Sequence, residues 1–133
     1  MTEFTIFLVD DDEAVLQGLS RLLQATGYRT RAFSSAKTFL REHEASIPGC
    51  VFLDLAMPDV NGLDVQEALV RQGISRPIIF LTGTEDVSQS VQAMKLGATD
   101  FLTKPIKKSE LLKAINSAEV RDRADRLENY SEA

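Results

Sequence analysis

Five short runs of β-branched, aromatic and aliphatic residues punctuate the chain: Phe4–Val9, Tyr28–Phe33, Cys50–Leu53, Pro77–Leu81 and Thr99–Leu102. Four are nearly continuous in apolar character, the pattern of parallel strands covered on both faces. Tyr28–Phe33 alternates polar and apolar instead, which predicts an edge strand with one wet face. Between the runs the apolar spacing turns helical. Val15, Leu16, Leu19, Leu22 and Leu23 fall on one stripe of a helix over Ala14–Ala25. Gly27, Gly73 and Gly97 are expected to close helices, because glycine enters the left-handed conformation at little cost. Ser34-Ser35 predicts a helix start and Asn61-Gly62 a turn.

This order is (βα)5. Parallel strands need crossover helices, and the crossovers are right-handed. The expected product is a three-layer α/β sandwich with a parallel sheet. No repeat, low-complexity block or linker interrupts it before residue 117, so residues 1–117 form the expected domain and 118–133 a helical extension or linker.

Composition narrows the function. The chain has 133 residues, 44% hydrophobic and 26% charged, which suits one globular domain rather than a disordered segment. A net charge of −5 disfavours nucleic-acid binding through its own surface. One cysteine, Cys50, and one histidine, His43, exclude a disulfide framework and argue against Cys/His metal sites and Ser-His-Asp catalysis. Cys50 is expected to be a small core residue, and His43 to face solvent. No apolar run approaches the roughly 20 residues of a membrane span. The N-terminus lacks the basic start of a secretory signal, so the cytoplasm is the expected compartment.

In a parallel α/β sheet, ligands bind beyond the carboxyl ends of the strands. The residues there are Asp10-Asp11-Asp12, Asp54, Thr82-Gly83 and Lys104-Pro105. Asp10, Asp11 and Asp54 converging on one edge would repel unless a cation or protons neutralised them. Oxygen donors alone select a hard divalent ion, Mg²⁺. Magnesium beside a lysine and a hydroxyl suits phosphoryl transfer, and a carboxylate can be the nucleophile. Asp54 is the best nucleophile candidate, because Asp10 and Asp11 are adjacent and can share the metal. Thr82 would donate its hydroxyl to a phosphoryl oxygen. A cis Lys104-Pro105 bond would aim the Lys104 ammonium into the site. Asp12 and Glu13 are expected to open the first helix, where acids complement the dipole. Taken singly, Thr82, Lys104 and Lys107-Lys108 would each be ordinary surface or strand-end residues; the convergence is what argues for function.

The segments IFLVDDDEAV, VFLDLAMPDVNGLD, IIFLTG and GATDFLTKP, in this order across residues 4–116, resemble the response-regulator receiver domains of two-component signalling, most of all those of FixJ-like regulators. The resemblance implies a flavodoxin-like fold with strand order 2-1-3-4-5. It implies that Asp54 is the phosphoacceptor, that Asp11 binds Mg²⁺ directly and Asp10 through water, and that the Ala56 carbonyl completes the metal sphere. Thr82 and Lys104 match the family's hydroxyl and lysine, and Phe101 the aromatic that turns inward on activation. A sensor histidine kinase is the implied phosphoryl donor. An output face of Val91, Met94, Lys95, Leu96 and Leu111 would mediate homodimerisation or effector contact, with DNA reached only through an effector domain outside this chain. Two departures stand out: Thr84-Glu85 replaces the usual His-Gly, and Ala56 replaces a frequent arginine. Both changes remove groups that could position water, so a long-lived phosphorylated state is expected.

Three other readings compete. A haloacid-dehalogenase-like phosphatase would carry Asp-x-Asp after the first strand, and Asp54-Leu55-Ala56 lacks the second acid. A flavin- or nucleotide-binding module would need a Gly-rich phosphate loop. A receiver-like scaffold that is never phosphorylated would have a degenerate acidic site. In the tail, Val120, Ala124 and Leu127 recur at helical spacing, and Glu119/Arg123 and Asp122/Arg126 form four-apart pairs. The fifth helix is therefore expected to continue, either as a solvated end or as a coiled-coil linker.

Overall fold

The structure, a computed structural model, describes residues 4–58, 60–83 and 87–132, with only the backbone described for 87–90, 126 and 128–132. The elements are β1 (Thr5–Val9), α1 (Glu13–Ala25), β2 (Arg29–Phe33), α2 (Ala36–Glu42), β3 (Gly49–Asp54), α3 (Gly62–Arg71), β4 (Ile78–Thr82), α4 (Val87–Lys95), β5 (Asp100–Thr103) and α5 (Lys108–Glu132). All strands are parallel, in the order β2-β1-β3-β4-β5. This is the flavodoxin-like sandwich expected from the alternation of elements.

Strand periodicity divides the core in two. Ile6, Leu8, Phe52, Ile79 and Leu81 point to one face and meet Leu16, Leu19 and Leu23 of α1 and Leu111, Ile115 and Ala118 of α5. Phe7, Val9, Val51, Leu53 and Phe80 point to the other, against Phe39 of α2, Val65 and Leu69 of α3 and Ala93 of α4. Successive residues of one strand thus feed opposite layers, so β1, β3 and β4 are apolar at nearly every position.

Local signals act as expected at several element ends. Asp12 caps α1, accepting from the amides of Ala14 and Val15; Ser35 caps α2 and Asn61 caps α3. Gly27, Gly73 and Gly97 all have positive φ just beyond helices. β2 is an edge strand, as its alternation predicts. Cys50 is fully buried at the start of β3, where burial pushes its thiol pKa up and leaves it unreactive.

Three expectations need correction. The fifth strand is not covered on both faces: β5 lies at the sheet edge and buries only Leu102. Four apolar-looking residues are too short a signal to separate an edge from an interior strand. His43 does not face solvent. Its ring stacks on Phe39 at 4.7 Å and its Nδ1 lies 3.0 Å from the Phe39 carbonyl, because the chain turns back toward the sheet after α2. Leu111 is not on a surface; it is fully buried in the layer between the sheet and α5. The first turn of α5 places that position in the same core layer as Phe52, Ile79, Leu81 and Leu102 of the strands, so Leu111 helps hold the helix on the sheet.

The fifth helix continues well past residue 117, as the tail pattern predicts. It stays in contact with the body there: Ala118 and Asp122 are buried, and Arg121 Nη1 lies 3.4 Å from Thr99 Oγ1. The Arg126 side of the expected Asp122/Arg126 pair lies outside the described side chains, whereas Glu119 and Arg123 do pair, at 3.9 Å.

Candidate functional site

Register builds the site. Val9 pairs with Leu53, so Asp10, one residue beyond β1, stands level with Asp54 at the end of β3. Asp54 in turn pairs with Leu81, next to Thr82, and Thr82 pairs with Thr103, next to Lys104. Four strands therefore deliver Asp10, Asp54, Thr82 and Lys104 to one edge, at the point where the strand order reverses between β1 and β3. Asp11 follows Asp10 into the first loop.

The carboxylates of Asp10, Asp11 and Asp54 offer oxygens that all lie within 4.8 Å of one another. Asp10 is 1% and Asp54 6% exposed, whereas Asp11 opens to solvent. Asp10 spends one oxygen on the Asp12 amide at 2.9 Å and the other on the Lys104 ammonium at 2.9 Å. Lys104 Nζ also sits 3.6 Å from Asp54 Oδ1, and the Lys104-Pro105 bond is cis. The Thr82 side chain is buried, and its hydroxyl donates to the Gly83 carbonyl at 2.9 Å.

The electrostatics follow from this packing. Burial and the neighbouring Asp10 charge push the Asp54 carboxyl up to about 6, against the opposing pull of Lys104 and the Ala56 amide. For Lys104, burial acts to lower the ammonium pKa. The hydrogen bond and charge of Asp10, with Asp54 behind them, outweigh burial and leave it raised. The site thus holds a permanent cation beside a carboxyl under strain to protonate.

The four strand-end residues are legible in the sequence, but two features of the site are not. The Ala56 amide donates to Asp54 Oδ1 at 3.3 Å, a backbone contact no residue type announces. Gly62 lets α3 begin directly against the end of β3: a Cβ there would lie 2.8 Å from the Asp54 carbonyl oxygen and 3.0 Å from Leu55 Cα. Its amide instead donates to the Leu55 carbonyl at 3.0 Å and closes the loop that carries Ala56. On the expected output face, Val91, Met94, Lys95 and Leu96 are exposed, and Phe101 is 39% exposed on β5. Thr84 and Glu85 lie outside the described residues.

A doubly wound sheet with acids, a hydroxyl and a lysine at its carboxyl edge is the architecture of a signalling receiver. The family model for the response regulator receiver domain matches residues 6–116, and the chain belongs to that family. It is 47% identical over 116 residues to the response regulator protein TmoT of Ectopseudomonas mendocina, covering 87% of this chain and 53% of that protein. Among solved structures it matches the response regulator StyR with a TM-score of 0.90 at 37% identity, over 96% of this chain and 65% of that one. It matches FixJ-N with a TM-score of 0.84 at 35% identity, over 90% of this chain and 95% of that one. The chain spans about half the length of the curated relatives it matches. No described helix is long and apolar enough to cross a membrane.

Proposed function

We propose that this receiver is switched by phosphorylation of Asp54, with a sensor histidine kinase as donor. The observation that carries this reading is the buried Asp54 carboxylate, held between an ammonium and two further carboxylates at the open edge of the sheet. A carboxylate oxygen attacks phosphorus, the P–N bond to the kinase histidine breaks, and the imidazole takes back the electron pair. The product is a mixed anhydride on Asp54.

The residues present fit Mg²⁺: the donors are all oxygen, their carboxylates are clustered, and one of them reaches solvent. Asp10, Asp11, Asp54 and the Ala56 carbonyl would hold it. When bound, it supplies positive charge against the carboxylates and the phosphoryl oxygens. The Ala56 amide and Lys104 both engage Asp54 Oδ1, which orients the carboxyl and leaves Oδ2 to be esterified. Lys104 then turns part of its charge from Asp10 to a phosphoryl oxygen.

Switching follows from hydrogen-bond exchange. The Thr82 hydroxyl, now on Gly83, rotates to donate to the phosphoryl group, and Phe101 moves into the space vacated. The Val91, Met94, Lys95 and Leu96 surface then pairs with a second copy or an effector. Relatives named as transcriptional regulators, TdiR and FixJ among them, are about twice as long as the matched stretch. That supports a receiver governing a DNA-binding effector from the cytoplasm, with residues 1–117 as the switching domain and 118–133 as the connecting helix. Neutral side chains at Ala56 and Thr84 leave hydrolytic water poorly held, so the anhydride is long-lived.

Acetyl phosphate with Mg²⁺, followed by intact mass and sizing, tests the reading. The expected result is one added phosphoryl group, absent in Asp54→Asn, with the modified protein shifted toward larger species relative to the unmodified one. An unchanged mass, or equal labelling of Asp54→Asn, would overturn it.

A further inference from the structure

The outer half of α5 presents two opposed faces. Ala118 and Asp122 are buried against the body, and Glu119 and Asp125 are half-buried beside them. On the opposite side Ser117, Val120, Ala124 and Leu127 are exposed, Val120 by 57% and Leu127 by 63%. These four positions are spaced three, four and three residues apart. That is the a/d seam of a coiled coil, with 117 and 124 at a and 120 and 127 at d. In the same frame 118 and 125 fall at b, 119 at c and 122 at f, the positions that face away from a partner helix. The body therefore occupies the side of the helix that a coiled coil leaves vacant.

We infer that this stripe is a pairing surface for the same helix of a second copy, running parallel and in register. Charge spacing selects that occupant. Arg123 falls at g and position 128, a glutamate, at the following e. In a parallel in-register pair, g of one helix lies beside the next e of the other, so two Arg–Glu contacts form symmetrically across the seam. A helix of arbitrary sequence would gain neither contact. Serine and alanine at the a positions allow close approach, and valine and leucine at d supply the apolar burial.

Short helices pair poorly when they must first be formed. Here part of that cost is already met, because Leu111, Ile115, Ala118 and Asp122 anchor α5 to the body from its first turn to the middle of the stripe. Toward its first turns the stripe meets Lys113 and Ser117, which with Asp100, Phe101 and Leu102 line a groove between β5 and α5. Pairing along α5 would thus extend the proposed output face rather than compete with it. The inference does not rest on phosphorylation of Asp54.

Cysteine trapping in the full chain, without phosphoryl donor, tests this directly. The native Cys50 is fully buried and does not interfere. Val120→Cys and Ala124→Cys are each expected to form disulfide-linked dimers at least ten times faster than Lys37→Cys, which is exposed on α2. Arg123→Glu in the Ala124→Cys protein should slow trapping several-fold, and adding Glu128→Arg should restore it. Far-ultraviolet circular dichroism checks that each variant keeps its helix. Trapping at the rate of Lys37→Cys, or a double charge exchange that fails to restore what Arg123→Glu removes, would overturn the inference.

Discussion

Replacing Asp54 with asparagine should stabilise the metal-free protein at neutral pH. The native carboxyl titrates at about 6 rather than near 3.8, chiefly through burial and the Asp10 charge. A group whose folded pKa is raised contributes stability below its unfolded pKa and loses it as pH climbs through the folded value. Ionised Asp54 therefore costs about 3 kcal/mol above pH 7, taking roughly two pKa units at about 1.4 kcal/mol each. Asparagine removes that charge, and the titration at about 6 is already net of the attraction to Lys104, so the expected gain is about 2–3 kcal/mol. That corresponds to a rise in Tm of roughly 6–10 °C for a domain of this size. Urea or thermal unfolding from pH 4 to 8 measures it. The two proteins should be equally stable below pH 4, and the gap should open between about pH 4 and 6 and level off above 7. Mg²⁺ should close the gap by stabilising the parent more than the variant, since a ligand of the native state adds stability by mass action. A variant less stable than the parent at pH 7.5, or a gap independent of pH, would refute the electrostatic account.

Three further outcomes follow from the same geometry. Lys104→Met leaves the buried Asp10 without its cation; the loss at pH 7 should be about 2 kcal/mol, below that of a fully buried pair because Lys104 is partly exposed, and denaturant melts measure it. Leu111→Ala opens a cavity between α5 and the sheet and should cost about 3 kcal/mol in urea unfolding, whereas a surface position would lose under about 0.5 kcal/mol. Gly62→Ala drives a methyl against the Asp54 carbonyl and should both destabilise the fold by about 1–3 kcal/mol and slow acetyl-phosphate labelling; normal labelling would show that the β3–α3 contact does not position Asp54.

Much of this molecule was written in local pattern. The run lengths of Phe4–Val9, Cys50–Leu53 and Pro77–Leu81 specify interior strands because a parallel sheet buries both faces and tolerates few polar residues there. The alternation of Tyr28–Phe33 specifies an edge for the complementary reason. Asp12, Ser35 and Asn61 cap helices through contacts within three residues, so their identities suffice. The strand-end acids and Lys104 were legible for another reason: parallel topology sends every strand's carboxyl end to the same edge, and polar residues after apolar runs mark that edge.

What lay beyond the sequence depends on contacts between distant segments. Exposure of Phe101 and burial of Leu111 follow from which strand ends the sheet and which turn of α5 meets it. The stacking of His43 on Phe39 requires the exact return of the chain after α2. The displaced titration of Asp54 arises because register sets it level with Asp10, 44 positions earlier, inside a closed core. Residue types determined the layers and the chemistry available at their edge; only folding decided the distances, because burial and charge coupling are properties of neighbours in space rather than in sequence.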